Sequence, residues 1–261
     1  SDAGLSAFAD NDTYKAVGAS IKSRAEVLAE SDMICSIQPI SQEEISKMKP
    51  EAVLLGQMGA LFNPELTKFL VQEKRTDLCM ELVPRTTRAQ SMDVLSSMAT
   101  VTGYKSVLLA ASSLPRFFPM FMTAAGSITP AKVLILGAGV AGLQAIATAK
   151  RLGASVFAFD VRQAAKEEVL SLGAKFVDVE GAKEDKAAGG YAVEQSAEFI
   201  QKQKDTIHEY AAKSDVIITT AQIPGRKAPL LVEERTVLAM KPGSVIVDLA
   251  ASSGGNCAMT Q

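Results

Sequence analysis

The chain has 261 residues, of which 48% are hydrophobic and 21% charged, so it can bury one large core or two ordinary ones. Aromatic residues make up only 5%, and the apolar residues are mainly aliphatic, which favours buried parallel strands covered by helices over an aromatic-rich all-β fold. The net charge is −2 and Lys and Arg form no stripe, so we expect no nucleic acid as a partner.

Cysteine spacing and hydropathy exclude two further classes of protein. Cys35, Cys79 and Cys257 lie far apart without metal-ligand spacing, so no metal site is predicted, and the first two are expected to be small buried hydrophobes. The longest uncharged run, 133–149, contains three glycines and is shorter than the roughly 20 residues of a membrane-spanning helix. We therefore expect no membrane insertion by this chain.

The first third of the chain alternates short apolar runs with helix-like segments. The runs at 33–37, 52–56 and 78–83 are each closed by a nearby Pro or Gly, as buried strands are, and residues 41–48 and 63–74 have helical character. Such alternation predicts an N-terminal α/β domain with a parallel sheet.

A second α/β domain is predicted after it, which divides the chain into residues 1–90 and 91–261. A helix at 91–112 has apolar residues on every face, so it is expected to be buried and to connect the domains. Five strands follow, at 133–136, 155–159, 175–179, 215–220 and 244–249. The predicted fold class is α/β, with two Rossmann-like domains of parallel sheets flanked by helices and a nucleotide in the cleft between them.

A glycine-rich turn follows the first of these five strands. Gly137, Gly139 and Gly142 form the pattern G-x-G-x-x-G: the first permits a tight turn, the second admits a pyrophosphate, and the third lets helix and strand pack closely. The start of the helix, at Val140 and Ala141, offers free N–H groups to an anion. The alternative, a tight turn that binds no ligand, is weakened by an acidic residue at the expected place.

That residue is Asp160, which ends the second strand, where a carboxylate accepts hydrogen bonds from the adenosine ribose and repels a 2′-phosphate. Arg162 could instead recruit that phosphate, but Asp160 would lie against the ribose itself, so NAD(H) is predicted. Thr220, Ala221 and Gln222 follow the fourth strand and are expected to face the adenosine half of the nucleotide, although small residues are also usual in buried turns.

The chain holds one histidine, His208, whereas dehydrogenases that oxidise alcohols or amines need a base. His208 lies among charged residues of an amphipathic helix, which favours a surface position over a catalytic one, and a Lys or Tyr base stays open although no motif indicates one. Hydride transfer between two nicotinamides needs no acid or base, only alignment of the rings. The polar segment PRTTRAQSMD, 84–93, follows the carboxyl end of a predicted parallel strand and suits that task.

Several segments resemble the NAD(H)-binding component, the alpha subunit or domain I, of the proton-translocating NAD(P) transhydrogenase family, whose fold is shared with alanine dehydrogenase. They are VPRTTRAQSMDVLSSMATVTGYKSV, MTAAGSITPAKVLILGAGVAGLQAIATAKRLGA, FDVR, GGYA and KPGSVIVDLA, and the resemblance covers almost the whole chain. It implies direct, Re/Si-specific hydride transfer between NADH and an NADP+ held on a partner component, coupled to proton translocation in the full complex. In the family, further segments precede Ser1 and follow Gln261.

The resemblance also implies roles for individual residues. Arg85 and Asp93 orient the nicotinamide ring, and Gln90 reaches toward the NADP(H) of the partner. Catalytic roles are implied for Arg85, Gln90, Asp93 and Ser96. Nucleotide contacts are implied for Arg85, Thr86, Thr87, Arg88, Val140, Asp160, Val161, Arg162, Gly190, Tyr191, Gln203 and Gln222. Gln222 stands where the family pattern leads us to expect an apolar residue.

Tyr191 is implied as the lid residue of a loop at 181–195 that closes on the nucleotide, although its polar, Gly-rich composition alone indicates a solvent loop. The implied partners are the NADP(H)-binding component and the membrane domain, together with a second copy in a homodimer. The implied location is peripheral on that complex, at the cytoplasmic face of a bacterial inner membrane or the matrix side of the mitochondrial one.

Three alternatives stay open at the level of sequence. Asp93 could serve only the dipole of a helix capped by Ser91, with Arg85 paired to it for stability. The chain could be a self-contained alanine dehydrogenase, which needs a base and a clamp for the substrate carboxylate. It could also be an NAD sensor without catalysis, which needs the glycine turn but not the segment 84–93.

Overall fold

A computed structural model describes residues 2–84, 86–179, 181, 196–223 and 225–261. The chain divides into two compact units, unit 1 (Ser1–Val94) and unit 2 (Leu95–Gln261). Each unit contains a parallel sheet with helices packed against it, so the predicted α/β fold class is confirmed.

Unit 1 contains a parallel sheet of order β1-β2-β3. Its strands are β1 (Met33–Ser36), β2 (Val53–Gly56) and β3 (Thr76–Cys79). Its helices are α1 (Asn11–Ala16), α2 (Arg24–Glu30), α3 (Gln42–Ser46) and α4 (Pro64–Gln72). Ser23 and Ser41 begin α2 and α3 with capping boxes, and Asn63 caps α4, so short polar residues fix where these helices start.

Two expectations for unit 1 are wrong. The apolar run 78–83 is not one strand: β3 ends at Cys79 and a 3-10 helix, Met80–Leu82, follows. Within this helix the Glu81 carboxylate accepts hydrogen bonds from Gly59 N–H and Ala60 N–H. Cys35 is exposed and Cys79 only half-buried. In β1, Ile34 is the buried residue and Cys35 lies on the opposite face, a difference that an uninterrupted apolar run does not reveal.

Unit 2 contains a five-stranded parallel sheet of order β10-β9-β6-β7-β8. Its strands are β6 (Lys132–Leu136), β7 (Ser155–Phe159), β8 (Lys175–Phe176), β9 (Val216–Thr219) and β10 (Val245–Asp248). An antiparallel hairpin, β4 (Phe121–Thr123) and β5 (Gly126–Ile128), precedes it. The helices are α5 (Val94–Ser113), α6 (Val140–Arg151), α7 (Ala164–Ser171), α8 (Ala197–Ala212) and α9 (Glu234–Leu238).

Both faces of this sheet are buried. Val133 and Ile135 of β6 pack in one core with residues of α5, α6 and α7. Leu134 and Leu136 point the other way and pack in a second core with residues of α8. Because both faces are buried, the strands of unit 2 appear in the sequence as continuous aliphatic runs, and this is why they could be predicted. Strand β8 is shorter than predicted.

Helix α5 departs from the expectation of a fully buried helix. Its buried residues are Gly103, Ser106, Val107 and Ala110, whereas residues such as Met98 are exposed. Among the described residues it is the one helix long and apolar enough to cross a membrane, judged by length and composition alone. Val107 and Ala110, however, belong to the core of unit 2, which accounts for some of its apolar character.

Asp215 joins three segments at the amino end of β9. Its carboxylate, 5% exposed, accepts hydrogen bonds from Arg116 Nη1 at 3.0 Å, Lys241 Nζ at 3.0 Å and Lys132 N–H at 2.8 Å. Burial acts to raise the pKa of Asp215, but these hydrogen bonds and the charges of Arg116 and Lys241 outweigh it, so the pKa is lowered from its ordinary value.

We expect Asp215→Asn to lower the free energy of unfolding at neutral pH by about 2 kcal/mol, below the usual figure for a buried pair because Arg116 and Lys241 are partly exposed. Since the folded pKa of Asp215 lies below the unfolded value of about 3.9, its stabilisation is complete above that value and is lost on acidification. Denaturant unfolding of both proteins should therefore converge at low pH.

Lys213→Ala is the matched control, because it removes an exposed ion pair with Glu209 in the same unit and should cost less than about 0.5 kcal/mol. If Asp215→Asn has wild-type stability at neutral pH, or if its loss of stability persists unchanged in acid, the ionised Asp215 carboxylate does not stabilise the fold as expected.

Candidate functional site

The glycine turn connects β6 to α6. Gly137 has φ of +103°, in the left-handed region that favours glycine, and its N–H donates to the Phe159 carbonyl at 2.8 Å. Gly139 is the N-cap of α6, and no side chain of the described residues caps this end. The first N–H groups of α6 therefore remain available to a bound anion.

The three glycines meet different surroundings. A Cβ at Gly142 would lie 1.9 Å from the Gly137 carbonyl oxygen, and one at Gly137 would lie 2.5 Å from Thr220 Oγ1. At Gly139, by contrast, no described atom lies within 4 Å of the Cβ position. The outer two glycines are thus required by packing, whereas the middle one borders open space. That cradle fits a pyrophosphate, as the sequence pattern predicts.

Sheet order places this turn at a topological switch point. Strand β6 lies between β7 and β9, and the chain leaves β6 first toward β7 and β8 and later toward β9 and β10. Open α/β sheets bind ligands in the crevice at the carboxyl ends of such strands. Both the turn and Asp160 lie at these carboxyl ends.

Asp160 is fully engaged by neighbouring donors. Its Oδ2 accepts hydrogen bonds from Ala138 N–H at 2.7 Å and Arg162 Nη2 at 2.9 Å, and its Oδ1 accepts from Arg162 N–H and Nε at 2.9 Å. The side chain of Asp160 is 7% exposed and that of Arg162 is 31% exposed. The bond to Asp160 raises the pKa of the Arg162 guanidinium, even though its burial acts to lower it. The half-buried Val161 lies between them.

This arrangement alters the expected electrostatics at the adenosine ribose. The sequence prediction places the Asp160 carboxylate against the ribose and weighs Arg162 only as a recruiter of a 2′-phosphate, whereas in the structure Asp160 and Arg162 form a bidentate ion pair with no net charge. A ribose would meet the pair, not the carboxylate alone.

Sheet order also revises the place of Thr220, Ala221 and Gln222. They follow β9, which lies on the other side of β6 from β7 and Asp160. With the adenosine ribose at Asp160, as the sequence predicts, this strand order favours the nicotinamide half for these residues over the expected adenosine half. Thr220 contacts the glycine turn, since its Oγ1 donates to the Gly137 carbonyl at 3.1 Å.

Sequence reasoning missed Asp248 and Asn256, which organise the loops beyond β9 and β10. Asp248 ends β10 and accepts hydrogen bonds from the donors Thr219 Oγ1, Thr260 Oγ1 and the N–H groups of Ala250, Asn256 and Cys257. Burial acts to raise the pKa of Asp248, but these bonds prevail and lower it. An acid at the end of a strand, as at Asp160, was the available signal.

The polar segment of unit 1 forms a 3-10 helix, Thr87–Met92. Thr86, Thr87, Arg88 and Gln90 are exposed, and the Asp93 N–H donates to the Gln90 carbonyl at 3.2 Å. Asp93 and Ser96 are half-buried. Asp93 precedes α5 and is not within its first turn, so the interpretation of Ser91 as its helix cap is wrong. Arg85 lies outside the described residues.

Other predicted residues fall elsewhere. Gly190 and Tyr191, with most of the predicted loop at 181–195, lie outside the described residues. Gln203 is buried in α8 on the same face as Phe199 and Ile207. His208 is half-buried, and its Nδ1 lies 3.0 Å from Thr236 Oγ1, so it joins α8 to α9.

A cavity of about 460 Å³ in unit 2 contains none of the predicted site residues. It is lined by residues between the end of α5 and the end of α6, among them Arg116, Phe118 and Leu152. We place the candidate site at the glycine turn instead, because the open backbone position, the uncapped helix end and the strand-ending acid converge there.

Comparisons with known proteins agree with the sequence resemblance. The alanine dehydrogenase/PNT family models match residues 1–102 (N-terminal domain) and 106–261 (C-terminal domain). An NAD(P) transhydrogenase alpha subunit of Rhodospirillum rubrum is 49% identical over 99% of this chain and 70% of its own length. The NAD(P) transhydrogenase subunit alpha of Haemophilus influenzae is 46% identical over 100% of this chain and 51% of its own length.

Solved structures give the same result. A transhydrogenase from Sinorhizobium meliloti superposes with a TM-score of 0.86 at 43% identity, covering 100% of this chain and 70% of that one. An L-alanine dehydrogenase superposes with a TM-score of 0.78 at 25% identity, covering 99% and 66%. This chain thus spans about half to 70% of the length of the transhydrogenase proteins it matches.

Alanine substitutions at two glycines should separate folding from nucleotide binding. Gly139→Ala should leave the free energy of unfolding within about 1 kcal/mol of wild type, because φ is −77° and the Cβ meets open space. It should weaken NADH binding roughly tenfold or more, because the methyl group occupies the place of the pyrophosphate. Titration of NADH fluorescence and thermal unfolding measure the two effects.

Gly142→Ala is the contrasting variant and should destabilise the protein by about 2–3 kcal/mol, because its Cβ collides with the Gly137 carbonyl. Unchanged NADH affinity in a well-folded Gly139→Ala protein would refute the placement of the pyrophosphate.

Proposed function

This chain belongs to the alanine dehydrogenase/PNT family, and on that premise we propose that it is the NAD(H)-binding, hydride-donating component of a Re/Si-specific, proton-translocating NAD(P) transhydrogenase. The observation that carries the proposal is the glycine turn, with open space at Gly139 and an uncapped helix end beside it. NADH bound there supplies a hydride for NADP+ held on a separate component.

Residues of unit 2 hold the nucleotide under this proposal. The N–H groups at the start of α6 bind the pyrophosphate, with Gly139 allowing its approach. Asp160 and Arg162 receive the adenosine ribose. Thr220, Ala221 and Gln222 border the nicotinamide half. Gln203 is retained among the proposed contacts from the family pattern alone.

Residues of the polar segment align the ring for transfer. Gln90, exposed at the surface of unit 1, is available to a partner that carries NADP(H). Arg85 and Asp93 are proposed to orient the nicotinamide, and Ser96 to line the same pocket, as the family pattern implies. Alignment is the whole requirement, since hydride transfer between nicotinamides makes and breaks no O–H or N–H bond.

Alanine dehydrogenase activity is the second candidate, supported by the matching family models and by a 30% identical alanine dehydrogenase of Methanococcus maripaludis. It requires a base, and His208 is poorly suited because it lies in α8 within hydrogen-bonding distance of Thr236. Consumption of NADH by pyruvate and ammonium with this chain alone would favour that activity.

The proposed partners are the NADP(H)-binding component, a membrane domain and a second copy of this chain. The β4–β5 hairpin supports self-association, because Met120, Phe121, Met122 and Ile128 are exposed apolar residues in and beside it. We propose a peripheral position on the membrane complex, at the bacterial cytoplasmic face or the mitochondrial matrix side. Val107 and Ala110, which pack in the core of unit 2, support a role for α5 outside the membrane.

Gln90→Ala should separate binding from transfer. The assay follows reduction of a nicotinamide-modified NAD+ analogue by NADPH held on a separately prepared NADP(H)-binding component. We expect the transfer rate to fall roughly tenfold or more with NADH affinity retained, because an interaction that aligns the two rings is lost. Gln201→Ala, at an exposed glutamine of α8 bonded to Asp205, should change neither quantity.

Full transfer activity in Gln90→Ala would refute its role, and transfer by this chain without the second component would refute the two-component mechanism. Failure of the wild-type chain to bind NADH would refute the proposed function itself.

Asp160→Asn should shift nucleotide preference toward NADPH by about tenfold in the ratio of dissociation constants, because it removes the negative charge that neutralises Arg162 and leaves the guanidinium charge to attract a 2′-phosphate. Asp178→Asn is the control, since Asp178 is also ion-paired, with Lys166, but is 45% exposed and lies outside the predicted site. An unchanged ratio in Asp160→Asn would show that the ion pair does not determine the preference.

A further inference from the structure

Asn256 binds the main chain of a single residue, Ala221, beside the candidate site. Its side chain is fully buried, with 0% exposure. The Ala221 N–H donates to Asn256 Oδ1 at 3.0 Å, and Asn256 Nδ2 donates to the Ala221 carbonyl at 2.9 Å and to the Pro229 carbonyl at 2.8 Å. The amide of Asn256 therefore binds both polar groups of Ala221, as a paired strand would.

The main chain of Asn256 is itself fixed by the surrounding loops. Its N–H donates to Asp248 Oδ2 at 2.7 Å, and its carbonyl accepts from the N–H groups of Leu231 and Val232 at 2.8 and 2.9 Å. Asp248 is bound in turn by Thr219 at the end of β9, at 2.8 Å. Asn256 is thus a rigid support, because the loops on either side of it are tied to the sheet.

Ala221 lies between this support and the glycine turn. The preceding Thr220 donates from its N–H to the Leu136 carbonyl at 2.8 Å and from its Oγ1 to the Gly137 carbonyl. The Ala221 nitrogen lies 3.3 Å from the position a Cβ would take at Gly137. A displacement of the Ala221 main chain would therefore change the wall of the site on the β9 side of β6.

We propose that Asn256 is a positioning residue for the nicotinamide half of the bound nucleotide. By holding the main chain on both sides of Ala221, it fixes the segment that leads from the carboxyl end of β9 to Gln222, whose Nε2 donates to the Leu249 carbonyl at 3.0 Å. Asp160 and the adenosine half lie on the other side of β6 and do not depend on this contact. The inference rests on the proposed function, because it needs the dinucleotide to cross the switch point with its nicotinamide toward β9.

Asn256→Asp tests it, because the carboxylate retains an acceptor for Ala221 N–H but loses both donations. NADH and ADP, which carries only the adenosine half and the pyrophosphate, are titrated separately by calorimetry. We expect the NADH dissociation constant to rise tenfold or more and that of ADP less than twofold. Asp215→Asn, which disturbs buried bonds at the opposite end of β9, should change neither constant.

Equal weakening of NADH and ADP binding would show that Asn256 has only a structural role, and unchanged NADH binding would show that it has no role in binding. Either result would overturn this proposal and leave the proposed function intact. Absence of NADH binding by the wild-type protein would overturn both.

If Asn256→Asp does not fold, amide hydrogen exchange of the wild-type protein tests the proposal instead. The Ala221 amide should exchange slowly, and NADH should slow it further whereas ADP should not. Equal protection by the two ligands, or none by either, would overturn the proposal.

Discussion

The close approach of α6 to the end of β6 is the constraint on which the candidate site depends. At Gly142 the helix comes so near the Gly137 carbonyl that even a methyl group would overlap it, with the Cβ only 1.9 Å away. That contact sets the uncapped end of α6 directly beyond a strand whose two faces are packed in separate cores. Helices α5 and α6 also approach each other this closely, because a Cβ at Gly103 of α5 would lie 2.1 Å from the Ala141 carbonyl oxygen. Close backbone packing, more than any side chain, positions the free N–H groups.

The negative charges of three buried or half-buried aspartates of unit 2 are stabilised by different kinds of partner. Asp215, at the amino end of β9, is neutralised by two cations, and Asp160, beyond the carboxyl end of β7, by one. Asp248 pairs with no Lys or Arg among the described residues, and hydroxyl and backbone donors stabilise its charge instead. Asp248 consequently orders loops, whereas Asp160 combines charge with a position beside the glycine turn. The same residue type at a strand end therefore does not by itself indicate a ligand.

Much of unit 2 could be predicted from sequence because its signals are local. The bounds of β7 agree with the prediction, and Gly137, Gly139 and Gly142 occupy the turn that their pattern implies. The side of the sheet on which Thr220 lies could not be predicted, since that depends on strand order. Asn256 was missed because its side chain bonds main-chain groups, two of them on a residue 35 positions away, and such bonds leave no pattern of residue types. The exposed face of α5 escaped prediction because all its faces are similarly apolar.

Under the proposed function, one region of the chain binds the nucleotide and another aligns its reactive ring. The nucleotide-binding groups are backbone N–H groups and one ion pair within unit 2, features that any dinucleotide-binding sheet can supply. Alignment depends on the segment that ends in the 3-10 helix of unit 1, where Thr87, Arg88 and Gln90 expose polar groups around a buried Ala89. A 3-10 helix turns faster than an α-helix and spreads successive side chains in several directions. One buried alanine can therefore anchor the 3-10 helix while Thr87, Arg88 and Gln90 stay exposed at the surface of unit 1.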